Sequence, residues 1–354
     1  MTAAPFQKGL SDLGHGSWAY LQPDGSWGYS NAGLITDSGE SLLVDTLFDL
    51  PLTQAMLTAM ADATPAARNI DVLVNTHANG DHCYGNQLVQ GARIIASQAS
   101  AEEMDAVPPA MMAEMIRRAD ELGVAGQYFR KSFGAFEFEG ITPTPPTETF
   151  ERQCRVKVGD KSVELIEVGP AHTRGDILVH VPEDDVVFTG DILFIDGTPI
   201  LWEGPISNWI DACDRILAMK PRVIVPGHGP LTDLNGVRGV RDYLGFIRDE
   251  ARERFDAGLS AARQPKTLPW GAIPLGSTPS ESLSTFKRST QSSIPKPHKP
   301  ISWNSSASWA RSPLKREAPS AALVGFNPSS GRKGRWDQSG APAATERRVS
   351  IRSV

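Results

Sequence analysis

Four apolar runs in this chain each give way to a histidine or an aspartate, and no other feature constrains the fold as strongly. IDVLVNTH runs into His77, SVELIEVG leads through GPAHTRGD to His172, VVFTGD stops on Asp191, and VIVPGHGP carries His228. The runs are short, rich in Val, Ile and Leu, and bounded by Gly, Pro, Asn or Asp, which is the pattern of buried strands. A polar group that directly follows a strand lies at the edge of its sheet. Four such groups can therefore gather along one edge of a sheet pair, whatever loops separate them in sequence.

The rest of the first 235 residues alternates in the same way. AGLITD, SLLVDT, ARIIAS, RVKVGD and ILVHVP read as further strands. Helical spacing is expected over 51–61, over 100–123 with its run of methionines, over 207–219 and over 234–257. The aromatic-rich stretch QYFRKSFGAFEFEG leads into a Pro/Thr loop, and its aromatics are expected to be core. The alternation predicts a mixed α/β (α+β) domain without a solenoid repeat.

The chemistry concentrates in NTHANGDHCYGN, which holds His77, Asn79, Asp81 and His82. Imidazole and carboxylate are the ligands that suit zinc and similar divalent ions. One histidine alone would more often be structural. In this order, however, the four clusters resemble the metallo-β-lactamase-fold metallohydrolases. That family shows an HxHxDH motif, then a histidine after a glycine-rich turn, then a bridging aspartate and a final histidine. The resemblance spans roughly residues 14–257 and implies a four-layer αββα sandwich with its metals in a shallow groove at one edge.

The resemblance also implies a ligand set. His77 and His172 would serve a first metal, with Asn79 standing where the family usually has a histidine. Asp81, His82 and His228 would serve a second metal, and Asp191 would lie between the two. An amide oxygen is a weaker ligand than imidazole, so the second site is favoured. One or two Zn2+ ions are expected, with Fe2+ or Mn2+ as alternatives. Asp191 would orient the nucleophile or take its proton, and Asp81 would position the water.

The implied activity is metal-dependent hydrolysis of an ester, thioester, lactone or related carbonyl by an activated water. Two other readings stay open. His77, His172 and Asp191 would suit Fe(II) in an oxygenase resembling the persulfide dioxygenases, and a metal-free binding protein could retain the fold. Arg174, Trp27 and Tyr29 are candidate substrate contacts, the last two at the tip of a hairpin that overhangs the groove in the family. An apolar small molecule is the expected partner. Asn75, Thr76 and Asn86 are candidate acceptors behind the ligand histidines.

Charge divides the chain in two. Residues 263–354 hold 15 Lys and Arg against 4 Asp and Glu, leaving 20 against 37 for residues 1–262. The first part is therefore net −17 and the second net +11. The basic part contains 18 serines and 11 prolines with no apolar period, so a disordered tail after a domain of 1–262 is expected. A frameshift is a second reading of the tail. Shifted back-translation of 278–293 permits DPERV, VVNV and LYAEF, which resemble C-terminal stretches of the family. The acidic body and the lack of a recognition motif argue against nucleic acid. Three widely spaced cysteines, with no apolar segment of membrane-spanning length, point to a cytoplasmic protein.

Overall fold

The structure, a computed structural model, describes residues 6–23 and 27–258. The basic tail and the ends of the expected domain lie outside the described residues. Two sheets pack face to face. The first contains β1 (Gly9–Gly14), β2 (Ser17–Leu21), β3 (Ala32–Asp37), β4 (Glu40–Val44), β5 (Val72–Val74), β6 (Arg93–Ser97) and β7 (Glu148–Phe150), in that spatial order. The second contains β8 (Gln153–Val158), β9 (Lys161–Glu167), β10 (Ile177–Val181), β11 (Val186–Phe188) and β12 (Val223–Val225), ordered β12-β11-β10-β9-β8. Pairing is antiparallel from β1 to β4 and parallel from β4 to β7. In the second sheet only β11 and β12 run parallel.

Alternation along the strands builds the central layer. Ile35, Leu42, Val44, Val72 and Val74 of the first sheet meet Val163, Leu165, Val179, Val181 and Phe188 of the second. Gly33 permits this closeness, because a Cβ there would lie 2.2 Å from the Phe188 ring. At one end of the sandwich a buried ion pair of the second sheet is hydrogen-bonded to the β1–β2 turn of the first. Lys161 Nζ donates to Asp184 Oδ2 at 2.7 Å and also to the His15 carbonyl, and Ser17 Oγ donates to the same carboxylate at 2.6 Å.

Helices cover both outer faces. α1 (Leu50–Ala63) starts where the Asp49 side chain accepts from Leu52 N, with Pro51 in its first turn. Its Met56 and Met60 pack on Leu34, Leu43 and Leu73. α6 (Ile206–Met219) and α7 (Leu234–Asp256) cover the second sheet, where Trp209, Ile216, Val237 and Leu244 pack on Ile166, Leu178, Val187 and Ile224. The result is the four-layer αββα sandwich that the family resemblance implied.

Between these lie α2 (Gly80–Cys83), α3 (Gln98–Glu103), α4 (Pro109–Arg117) and α5 (Gly123–Phe133). The single helix expected over 100–123 is broken, because Pro108 and Pro109 remove donors and force extended backbone ahead of α4. The aromatic stretch is helical through Phe133. Its Phe136 and Phe138 are buried with Phe48 and Tyr84, as core, with Phe129 and Phe133 partly buried against them, whereas Tyr128 is exposed on the helix surface. β1 left little signal in the sequence because it is an edge strand, with Leu13 its one buried residue.

Topology sets the site at one edge. β4 and β5 run parallel and end together, on Asp45 and on Asn75 to His77. β11 and β12 also run parallel, ending together before Asp191 and His228. β9 is antiparallel to β10, which is antiparallel to β11, so the end of β9 points the same way and delivers His172.

Candidate metal centre

Asp191 lies at the middle of the four histidines. Its Oδ1 is 3.1 Å from His82 Nε2, and its Oδ2 is 3.3 Å from His172 Nε2, 3.4 Å from His228 Nε2 and 3.8 Å from His77 Nε2. Asp81 Oδ2 lies 3.2 Å from His228 Nε2 and 3.8 Å from His82 Nε2. Two groups of donors each fall within 4.8 Å of one another: His77, His82 and Asp191, and Asp81, His82 and His228. Gly227 makes room for the aspartate, since a Cβ there would meet Asp191 Oδ1 at 2.0 Å. The structure thus brings together all seven residues named from sequence, Asn79 included.

Hydrogen bonds behind the rings fix which nitrogen each presents. His82 Nδ1 bonds Asp45 Oδ2 at 2.9 Å, and Thr76 donates to the same carboxylate from Oγ1 and from its backbone N–H, both at 2.7 Å. Thr76 Oγ1 then has a lone pair for His77 Nδ1–H, 3.0 Å away. His172 Nδ1 donates to the Ile200 carbonyl at 2.6 Å. In these three rings Nε2 is left facing the centre. The ring of His228 is held by stacking on Phe194, with centroids 5.0 Å apart.

Some of these supports differ from the sequence expectation. Thr76 does stand behind His77. Asn75 and Asn86 instead pair with each other, and Asn75 Nδ2 donates to the His82 carbonyl, which braces the loop rather than an imidazole. Asp45 was missed, although in SLLVDT it directly follows the apolar run, much as Asp191 closes VVFTGD.

Asn79 has a specific partner. Its amide oxygen is placed 2.9 Å from His172 Nε2. Burial lowers the pKa of His172, so the ring is neutral, and its single N–H is already given to Ile200. Nε2 is then an acceptor, and the bond forms with the amide turned to donate through Nδ2. Asn79 therefore caps the one nitrogen of His172 that faces the centre.

The electrostatics of the cluster call for positive charge at its middle. His77 Nε2, His82 Nε2 and Asp191 Oδ1 are buried without a hydrogen-bond partner. Burial alone would raise the Asp191 carboxyl, but His228, His82 and His77 hold it well below the usual range. Burial would lower His228, yet Asp191 and Asp81 carry it up to about 9. His82 is likewise pushed down by burial and then well above its ordinary value by Asp191, Asp81 and Asp45. Protons on His82 and His228 supply charge that a divalent cation would supply in their place. The donor set fits such an ion.

A sequence profile of the metallo-beta-lactamase superfamily matches residues 25–228, more than half of the chain. This chain belongs to the metallo-beta-lactamase superfamily. Among curated proteins, it is similar to the human acyl-coenzyme A thioesterase MBLAC2, 26% identical over 217 residues that cover 56% of this chain and 72% of the relative. It is also similar to a hydroxyacylglutathione hydrolase of Maricaulis maris, 25% identical over 186 residues covering 52% and 54%. The first relative is named a thioesterase and the second a hydrolase.

Among solved structures, the fold matches a sec-alkylsulfatase, Pisa1 from Pseudomonas sp., with TM-score 0.55 and 19% identity over 72% of this chain and 44% of that one. A metallo-beta-lactamase from Pontibacter korlensis gives TM-score 0.50 and 20% identity, over 68% and 99%. These likenesses concern the superfamily fold.

The three substrate-contact candidates sit in different surroundings. Arg174 is paired with Glu102 and Glu103. Tyr29 packs on Phe136, with ring centroids 4.8 Å apart. Trp27 is 39% exposed on the loop whose Ser30 Oγ donates to the Asp81 carbonyl, and whose Asn31 bonds the turn that carries His228.

Proposed function

We propose that this chain is a metal-dependent hydrolase of small-molecule thioesters. The observation that carries the reading is the gathering of four histidines and Asp81 around Asp191, with three buried polar atoms left without partners. The thioester class is supported by the two kinds of relative, an acyl-coenzyme A thioesterase and hydroxyacylglutathione hydrolases. The resident ion, zinc by the character of the ligands, would be held by Asp81, His82, His228 and Asp191. His77, Asn79 and His172 would form a weaker first site, because Asn79 caps His172.

A bound ion would supply hydroxide from water at neutral pH and polarise the thioester carbonyl. The side chains do the rest. Asp81 and Asp191 are the carboxylates beside the attack position, and Asp191 is placed to orient the nucleophile and accept its proton. Asp45 holds His82 in one tautomer, and Thr76 holds His77. Phe194 and Trp209 pack beside His228 and His172, which limits water behind the rings. The three cysteines form no disulfide in the structure, and two are buried. Among the described residues no helix is long and apolar enough to cross a membrane. We place the protein in the cytoplasm.

The test is metal content by mass spectrometry together with thiol release from acyl thioesters. Near one equivalent of zinc and chelator-sensitive hydrolysis are expected, with Asp191→Asn reducing turnover by about 100-fold or more. Retained iron with oxygen uptake, or no metal uptake after reconstitution, would overturn the reading.

A further inference from the structure

The segment that follows Asp191 carries two side chains that the chemistry of the centre does not explain. Its backbone is fastened to the His172 loop at four points. The Ile200 carbonyl accepts from His172 Nδ1 at 2.6 Å. Trp202 N and Glu203 N both donate to the His172 carbonyl, at 3.1 and 3.2 Å, and Gly204 N donates to the Ala171 carbonyl at 2.9 Å. The clamp fixes the backbone of this segment beside a ring of the centre. Leu201 and Trp202 lie on that backbone with 48% and 39% of their surface exposed. Both stand outside the hydrophobic clusters formed by the described residues.

Large apolar side chains held rigidly in water beside a reactive centre mark a contact surface. The charges around them narrow what can sit there. Glu203 is exposed next to Trp202, its charge is felt by Glu103, and Glu102 and Glu103 share Arg174 as partner. Arg174, the neighbouring cation, is held by Glu102 and Glu103 and donates its backbone N–H to Glu103. An anionic group would meet net negative charge on this side.

We propose that Leu201 and Trp202 form the wall that receives an uncharged, linear acyl chain, while the carbonyl of the same substrate sits at the centre. This rests on the thioester reading and adds the nature of the acyl part. Two adjacent side chains are too small an apolar surface for a stable protein interface, whereas a chain of several methylenes covers them well.

Two measurements test the proposal. The first compares kcat/KM for decanoyl and acetyl thioesters in the wild type and in the double variant Leu201→Ser, Trp202→Ala. The decanoyl-to-acetyl ratio is expected to fall by about ten-fold or more. The second is calorimetric binding of an S-(2-oxododecyl) thioether, in which a methylene between carbonyl and sulfur prevents hydrolysis. Its affinity is expected to drop about ten-fold in the double variant.

An unchanged ratio with intact hydrolysis overturns this proposal and leaves the thioester reading standing. If thioesters are not cleaved, the reading fails, and thioether binding still decides the wall. Equal binding to both proteins overturns it, and so does loss of self-association in the variant without loss of thioether binding.

Discussion

Asn79 is one atom-scale change with consequences for the whole centre. A histidine at 79 would present an imidazole nitrogen and would free His172 Nε2 from its amide partner. Asn79→His is therefore expected to raise bound zinc from about one equivalent toward two, read by mass spectrometry and by titration calorimetry. Unchanged stoichiometry and affinity would show that Asn79 does not set the first site.

Asp176 makes a second residue-scale prediction. Burial raises its carboxyl, the Thr173 hydroxyl and N–H lower it in part, and Asp191 and Glu103 add to the rise, giving about 7. The folded protein thus binds a proton more tightly at Asp176 than the unfolded chain does. That contribution is complete below the unfolded value near 3.8 and is lost as pH rises through about 7. Relative to Asp176→Asn, the wild type should gain stability as pH falls from about 8 to 5, by at most about 1.4 kcal/mol per unit. Urea unfolding of both proteins across that range measures the difference, and parallel curves would remove Asp176 as its source.

At the level of elements, the contacts between turns matter as much as the sheets they close. The Lys161–Asp184 pair joins the β8–β9 turn, the β1–β2 turn and the turn after β10, with both side chains at least nine-tenths buried. Breaking a buried pair leaves one charge uncompensated, whereas removing both charges often costs little. Lys161→Met is expected to destabilise by about 3 kcal/mol, and adding Asp184→Leu should recover much of that loss. Urea midpoints of the two variants test it, and a double variant as weak as the single one would contradict it. The helices teach a related lesson. Methionine spacing over 100–123 suggested one helix, but the two prolines mattered more than the period.

For the molecule as a whole, every donor around Asp191 lies before residue 229, and α7 ends at Asp256. We propose the domain boundary near residue 262. A chain ending there is expected to bind metal and hydrolyse thioesters as the full chain does, within about two-fold, on the view that the basic segment holds no part of the site. Loss of metal from the shortened chain would contradict that boundary.

The sequence by itself determined most of the buried strands and that four of them lead to a histidine or an aspartate, while the αββα layering followed from the resemblance that those four clusters carry. It could do so because period-two apolar runs and their bounding turn residues are local signals. Only the tertiary structure decided how the donors share Asp191, that Asp45 orients His82, and that Asn79 caps His172. It also decided that Asn75 and Asn86 brace a loop and that Trp202 is clamped beside His172. Those facts depend on distances between residues far apart in the chain, and no local pattern of apolar and polar residues encodes a distance.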